Sequence, residues 1–475
     1  MNRTKMVCTV GPAVDSDEHI RALIRAGMSV ARVNFSHGDH ATHAQRIERV
    51  RRIATDEKAI IAILGDLQGP KLRVGKIAGG PIMTLPDQSI TLTLRQVAGD
   101  AREVTLPHPE LVQGVQPGQR LLIDDGALEF VVTAVTDTDL VCRVITGGPL
   151  SSNKGVSAPG ANLSLSAITA KDREDAQFAV DQQLDFIALS FVRSGDDVCE
   201  LRALLDALGA DIPIVTKIEK SEALDHIDDI LACTNAIMIA RGDLGVETPA
   251  ESVPVVQKRL IRQCNARGIP VITATQMLQS MLTAPRPTRA EASDVANAIY
   301  DGTDAVMLSG ETASGQYPIE AAQTMARIAA ITEQDFPYEK WLANSVTTQL
   351  GHVAAIGRAT VEIAEEIGAK AIVTSTRTGT TAQLIAQFRP RTLIIATTPY
   401  EVVQRRLALM WGVQPMLAPE HQTTDEMLRT AAALVVKNGI AQHGDTILIT
   451  AGIPITGNNP TNMLHVHVIG EEDGQ

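Results

Sequence analysis

Short apolar runs that stop abruptly at polar residues recur through the middle of the chain. They read IVTKIE at 214–219, AIMIARGD at 236–243, VITATQ at 271–276 and AVMLSGE at 305–311. Steps from Lys217 to Asp243, Thr275 and Ser309 are 26, 32 and 34 residues, each about one strand-plus-helix unit. Runs of this length without alternation predict strands buried on both faces, as in a parallel sheet. Buried strands ending in Lys, Glu, Asp, Thr and Ser predict a (β/α) barrel with its chemistry at the carboxyl ends of the strands.

The rest of the pattern completes the count. Strands are predicted at 3–10, 28–33 and 59–66, with a helix capped by Asp15 or Ser16 and closed by Gly27 after the first. Strands follow near 185–189, 213–217, 235–240, 270–274 and 304–308. Three before and five after make eight, the number that closes a barrel, whereas a doubly wound sheet needs no such number. Between them, 71–166 show short alternating strands and many Gly, Pro and Asp turns, with no helical period. This predicts a small β-rich domain inserted between barrel strands. From about 340 the chain alternates again: helix 351–367, strand 370–374, helix 380–387, strand 392–396, and strands near 446–450 and 464–468. The expected fold is α/β: a (β/α)8 barrel catalytic domain (1–69 and 168–340), an inserted β-barrel-like lid (70–167), and a C-terminal open α/β regulatory domain (341–475).

Composition narrows the function classes. A chain of 475 residues is too long for one ordinary domain. The net charge of −13 argues against non-specific nucleic-acid binding, and 3% aromatic content argues against stacking platforms for single strands. No run reaches the ~18 apolar residues of a membrane-spanning helix, and no signal-peptide layout precedes the first strand. Five scattered cysteines without a C-x-x-C read as reduced thiols, so a cytoplasmic setting is expected.

The strand ends supply candidate chemistry. Glu219 and Asp243, on neighbouring strand ends, can share one hard divalent cation, with Gly242 allowing close backbone approach. One such carboxylate alone would read as a helix cap or a solvated loop residue. Lys217, two residues before Glu219, faces the same side and places an ammonium there. It can neutralise developing negative charge or, deprotonated, form a Schiff base. At the second strand end, alternation places Arg32, Asn34 and Ser36 on one face, a guanidinium fork with two oxygens. Arg73, after the third strand, offers a second fork, and two forks near a metal pair point to phosphate. His37 reads either as an acid or base or as a helix-start hydrogen-bonding group. In 284–291 (APRPTRAE), Thr288 is a cap three residues before Glu291, and the structural reading suffices. Thr374, Ser375, Thr376, Arg377, Thr378, Gly379 and Thr380 join a strand to a helix. Their hydroxyls, guanidinium and free N–H groups favour a phosphate cradle over a plain capping loop.

Taken together, TKMVCTVGPA, ARVNFSHG, KIE, ARGDLG, ATQML, PRPTRAE and MLSGETA stand in an order that resembles the pyruvate kinase family over nearly the whole chain. The resemblance implies transfer of the phosphoryl group of phosphoenolpyruvate to ADP, giving ATP and pyruvate in the last step of glycolysis. It implies Mg2+ (or Mn2+) on Glu219 and Asp243, and Lys217 as a charge stabiliser rather than an imine former. Arg32 is implied at the transferring phosphate and Arg73 at phosphate near the nucleotide. Thr275 with Ala240, Arg241, Gly242 and Asp243 is implied at the substrate carboxylate. Asn34, Ser36, His37 and Lys154 fall where the family contacts ATP. The enolate proton is left to Thr275 with a water or to a relay through Ser309 and Glu311. Family members are commonly tetramers, so a homotetramer is expected, activated by a phosphorylated effector such as a sugar phosphate or nucleotide monophosphate at the 374–381 loop.

One segment departs from the better-known pattern, in which Asn, Ser, Asp and Thr hold K+ beside a Glu. Asn34, Ser36 and Asp66 remain, but Leu67 replaces the threonine, Gln68 the lysine after it, and Lys71 the glutamate. The Lys71 ammonium can supply the missing charge, so the chain resembles a K+-independent subgroup. The rival class is a Mg2+-dependent barrel lyase or aldolase acting on an enolpyruvate-type substrate. It leaves the ATQML and ARVNFSHG segments and the lid without a role.

Overall fold

The computed structural model describes residues 2–161, 163, 166–345, 351–457 and 459–470. Eight parallel strands close a barrel: β1 (Lys5–Thr9), β2 (Val30–Asn34), β3 (Ala62–Asp66), β4 (Phe186–Leu189), β5 (Ile214–Ile218), β6 (Ala236–Ala240), β7 (Val271–Ala274) and β8 (Ala305–Leu308). The barrel closes between β8 and β1, with Lys5 opposite Ala305 and Cys8 opposite Leu308. Nearly every strand position is buried, because one face meets the barrel interior and the other the helices. The sequence-predicted helix forms at Asp17–Ala26. The Ser16 side chain accepts from His19 N–H, and Gly27 takes the left-handed φ of 108° that closes it. Thr288 and Glu291 form the expected capping box at Arg289–Tyr300.

Between β3 and β4 the chain builds a curled six-stranded sheet around its own apolar core, which includes Ile90, Phe130 and Val144. Contrary to the absence of helical period, it also holds a short helix, Pro109–Gly114. Six residues starting at a proline are too few to show a period.

The C-terminal sheet has five strands, with Met463–Val468 antiparallel at one edge and Val413–Leu417 parallel at the other. The latter strand was not predicted: Pro415 interrupts it, and proline is tolerated there because the strand is an edge. Helices Glu401–Arg406 and Thr424–Lys437 also went unpredicted. This domain docks beneath the barrel. Arg389, 1% exposed, pairs with Asp304 at 3.0 Å, and Arg405 pairs with Asp185 at 2.8 Å. Lys5 donates to the Val413 carbonyl at 2.7 Å.

Candidate active site

The carboxyl ends of β2, β3 and β5 bring four charges together, with Ser190 at the end of β4 between them. Asn34 stands opposite Asp66 in the β2–β3 register, so Arg32 and Asp66 reach the mouth from adjacent strands. Arg32 Nε donates to Asp66 Oδ2 at 2.7 Å, and its Nη1 donates to Thr9 Oγ1 at 2.9 Å. Lys217 Nζ lies 2.8 Å from Glu219 Oε1 and 3.4 Å from Asp66 Oδ1, and donates to Ser190 Oγ at 2.8 Å. The other Glu219 oxygen accepts from the Phe191 N–H at 2.7 Å.

Electrostatics follow from this crowding. Burial alone would raise Asp66, but Lys217 and Arg32 hold it below the usual carboxylate range. Burial lowers the Lys217 pKa, but Asp66 and Glu219 together raise it by more, which favours the ammonium over the free amine that an imine needs. Burial and the like charge of Asp243 push Glu219 up against the pull of Lys217. Two carboxylates that repel one another across a crevice are relieved by a shared divalent cation, so the donor set fits one. Among the described residues no cluster of three or more His, Cys, Asp or Glu could hold a metal, so the pair leaves further positions to substrate oxygens and water.

β6 and β7 hold the opposite side of the mouth. Asp243 lies in the first turn of the short helix Arg241–Glu247 rather than in a loop. Thr275 takes a left-handed φ of 66°, unusual for a β-branched residue. Its hydroxyl accepts from the Gly242 N–H at 2.8 Å and donates to the Ala274 carbonyl at 2.7 Å. Strain of about 1–3 kcal/mol held by such contacts is typical of functional sites. Arg241 turns away, paired with Asp294 at 2.7 Å and bonded to the Thr275 carbonyl at 2.9 Å, so this turn offers backbone, not a guanidinium.

Other predicted residues are placed differently. β2 ends at Asn34 and a turn follows, so strand alternation does not carry Ser36; the Ser36 N–H instead donates to Asn34 Oδ1 at 3.1 Å. His37 follows in the same turn, its N–H on the Asn34 carbonyl. Arg73 belongs to the lid: its backbone bridges to Gly155 and its guanidinium donates to the Asn153 carbonyl. Lys154, also in the lid, pairs with Asp124 at 2.8 Å. Each Glu311 oxygen accepts one backbone N–H, from Leu278 and Ser309, which fixes the carboxylate in place, while Ser309 Oγ is buried without a partner. Leu67 is 1% exposed. Lys71 lines a crevice of about 450 Å³ between lid and barrel, with Glu219, Asp243, Lys220, Glu247 and Ser157.

Sequence reasoning missed Thr9, Ser190 and Phe191. Thr9 closes the run KMVCT and Ser190 follows FIAL, so the rule that found Lys217 also applied to them. In the C-terminal domain, Thr376, Arg377, Thr378 and Thr380 line a cavity of about 270 Å³. Gly379 takes a φ of 95°, its N–H on Thr376 Oγ1 at 2.9 Å, and Arg377 pairs with Glu420 and donates to the Tyr400 hydroxyl. Thr374 is fully buried in its strand, and its hydroxyl donates to the Ile395 carbonyl at 3.4 Å.

A closed barrel with buried, cross-paired cations and carboxylates at its mouth, roofed by a lid, defines an enzyme of anionic substrates. Family models described as "Pyruvate kinase, barrel domain" and "Pyruvate kinase, alpha/beta domain" match residues 1–322 and 354–467. The chain is 47% identical over 473 residues to a pyruvate kinase of Geobacillus stearothermophilus, covering 99% of this chain and 81% of that one. It is 46% identical over 477 residues to one of Staphylococcus aureus strain MRSA252, with the same coverage. A crystal structure of a pyruvate kinase from Cryptosporidium parvum superposes with a TM-score of 0.93 at 37% identity, covering 98% of this chain and 96% of that one. The chain belongs to the pyruvate kinase family, phosphotransferases that pass the phosphoryl group of phosphoenolpyruvate to ADP. The lyase or aldolase reading finds no support. The family generally uses Mg2+, and no helix among the described residues is long and apolar enough to cross a membrane.

Proposed function

We propose that phosphoryl transfer in this protein is carried by the Arg32–Asp66–Lys217–Glu219 cluster. The observation behind it is the Lys217 ammonium, held between Asp66, Glu219 and Ser190 and kept charged in a partly buried site. Glu219 and Asp243 would hold Mg2+ (or Mn2+), which would supply charge neutralisation on phosphoryl oxygens. The Lys217 ammonium and Arg32 guanidinium face the transferring phosphoryl group, where fixed cations stabilise its spread charge without reorganising. As the bond to the enol oxygen breaks, Lys217 also stabilises the enolate. Thr275 and the backbone from Ala240 to Asp243 orient the substrate carboxylate. Asn34, Ser36 and His37 receive the nucleotide from the barrel side, and Arg73 and Lys154 from the lid, whose closure excludes water. Protonation of the enolate falls to a water near Thr275, in preference to Ser309 and Glu311, whose oxygens are committed or enclosed.

The same proposal covers the monovalent cation, the effector and the setting. Lys71 reaches the crevice beside Glu219 and Asp243, and buried Leu67 offers no side-chain oxygen, so K+ is not required. A phosphorylated effector binds the 374–381 loop, in a cytoplasmic homotetramer. Separate apolar cores for the barrel, the insertion and the C-terminal sheet support domain limits of 1–69 with 168–340, 70–167 and 341–475. A coupled assay with K+ replaced by tetramethylammonium tests this. Pyruvate should form only with ADP and at a rate within a few-fold of that in K+. A loss by orders of magnitude overturns K+ independence.

A further inference from the structure

The five cysteines fall into two groups. Cys8, Cys142 and Cys264 are buried, and burial pushes the Cys142 thiol up to about 12 and raises the other two as well. Cys199 and Cys233 are exposed, and their sulfurs lie 3.4 Å apart. Cys199 sits in the helix Gly195–Ala207 that follows β4, and Cys233 ends the helix Ile227–Cys233 that follows β5. Both helices descend the outside of the barrel from neighbouring parallel strands. They meet closely one turn earlier, where a Cβ on Gly195 would stand 2.9 Å from the Asp229 carbonyl oxygen. Four residues further along each helix, the same face presents Cys199 to Cys233. Helix packing, and not a loop rotamer, therefore sets the sulfur contact.

We propose that Cys199 and Cys233 form a reversible dithiol–disulfide modification site, oxidised by low-molecular-weight disulfides. The thiolate of one cysteine attacks a sulfur of the small disulfide, forming a mixed disulfide and releasing one small thiolate. The second cysteine, as its thiolate, attacks the protein sulfur of that mixed disulfide. The protein S–S bond forms and the second small thiolate leaves, the two cysteine protons ending on the released thiols. The protein loses two electrons and the small disulfide gains them. Side-chain rotation closes the sulfurs to the ~2.05 Å of the bond. The cross-link joins the two units that share Glu219, since Phe191, whose N–H holds that carboxylate, precedes the first helix and Glu219 precedes the second.

Mass spectrometry of the folded, full chain after exposure to glutathione disulfide tests the site. The expected product has lost two hydrogens and yields a digest peptide pair linked through Cys199 and Cys233. Dithiothreitol reverses it, and Cys8, Cys142 and Cys264 remain free to alkylate on denaturation. Cys199→Ser and Cys233→Ser should each retain a single glutathione adduct instead. Stable glutathione adducts on both cysteines of the parent, a link between chains, or no reaction at either cysteine overturns the proposal.

Discussion

The barrel mouth and the 374–381 loop both lie where a strand gives way to a helix, yet they hold their charges in opposite ways. At the mouth, Asp66 and Glu219 are 1% exposed, and each is bonded to a cation that is itself bonded elsewhere. In the loop, Arg377 is partly exposed and leans on an exposed Glu420 and on Tyr400. Buried pairs cannot exchange partners without stranding a charge, whereas an exposed pair is worth little and yields to a competing anion. The first arrangement suits preorganised catalysis, the second a site that a phosphate enters and leaves.

Removing the carboxylate partner should therefore act oppositely in the two places. Asp66→Asn is expected to lower kcat about 10²–10³-fold and to cost about 3–5 kcal/mol of folding stability, since it takes from Arg32 its paired carboxylate and from Lys217 one of two. Steady-state kinetics and urea unfolding check both. Glu219→Gln should lower kcat/KM by about 10²-fold and raise the Mg2+ concentration at half-maximal rate. A Mg2+ titration that matches the parent would remove Glu219 from the metal site. In the loop, Arg377→Ala should weaken a phosphorylated activator about tenfold with fully activated turnover unchanged, and Glu420→Gln should tighten it by freeing the guanidinium. If neither shifts activation by a panel of sugar phosphates and nucleotide monophosphates, the loop is structural.

A separate effect, on stability alone, concerns neither site but the base of the barrel. Burial, against the pull of Glu333, lowers the Lys5 pKa from 10.5 to about 8. Between these values the unfolded chain holds a proton that the folded chain has released, so stability rises with pH across that window. Below about pH 8 the cost is fully present. Lys5→Met lacks it but loses the bond to the Val413 carbonyl, for a net gain of about 2 kcal/mol at pH 7. That gain should shrink from pH 8 toward 10.5; a gain independent of pH would contradict the assignment.

The barrel was legible because burial on both faces leaves unbroken apolar runs, and eight of them could be counted from Lys5 to Leu308. The carboxylates Glu219 and Asp243 and the ammonium of Lys217 were legible because polar residues ending such runs have few other reasons to be there. The placement of Arg73 and Ser36 was not. Arg73 looks like a continuation of β3, but the chain leaves the barrel after Asp66 and pairs Arg73 with Gly155 across the lid. Ser36 follows the strand period in sequence, while the backbone has already turned at Asn34. Glu311 showed its carboxylate but not the two N–H groups that occupy it, because Leu278 comes from a distant segment. Local pattern reveals which residues end a strand; tertiary contacts decide what remains free to react.

The central claim, that a fixed, largely enclosed ammonium stabilises the transferring phosphoryl group, rests on Lys217. The direct measurement is kcat and the KM for phosphoenolpyruvate of Lys217→Met in saturating Mg2+ and ADP, with circular dichroism confirming the fold. A kcat lowered about 10²–10³-fold with KM changed only a few-fold is expected, since the charge acts in the transition state. A kcat within tenfold of the parent, or a loss confined to KM, would contradict the account.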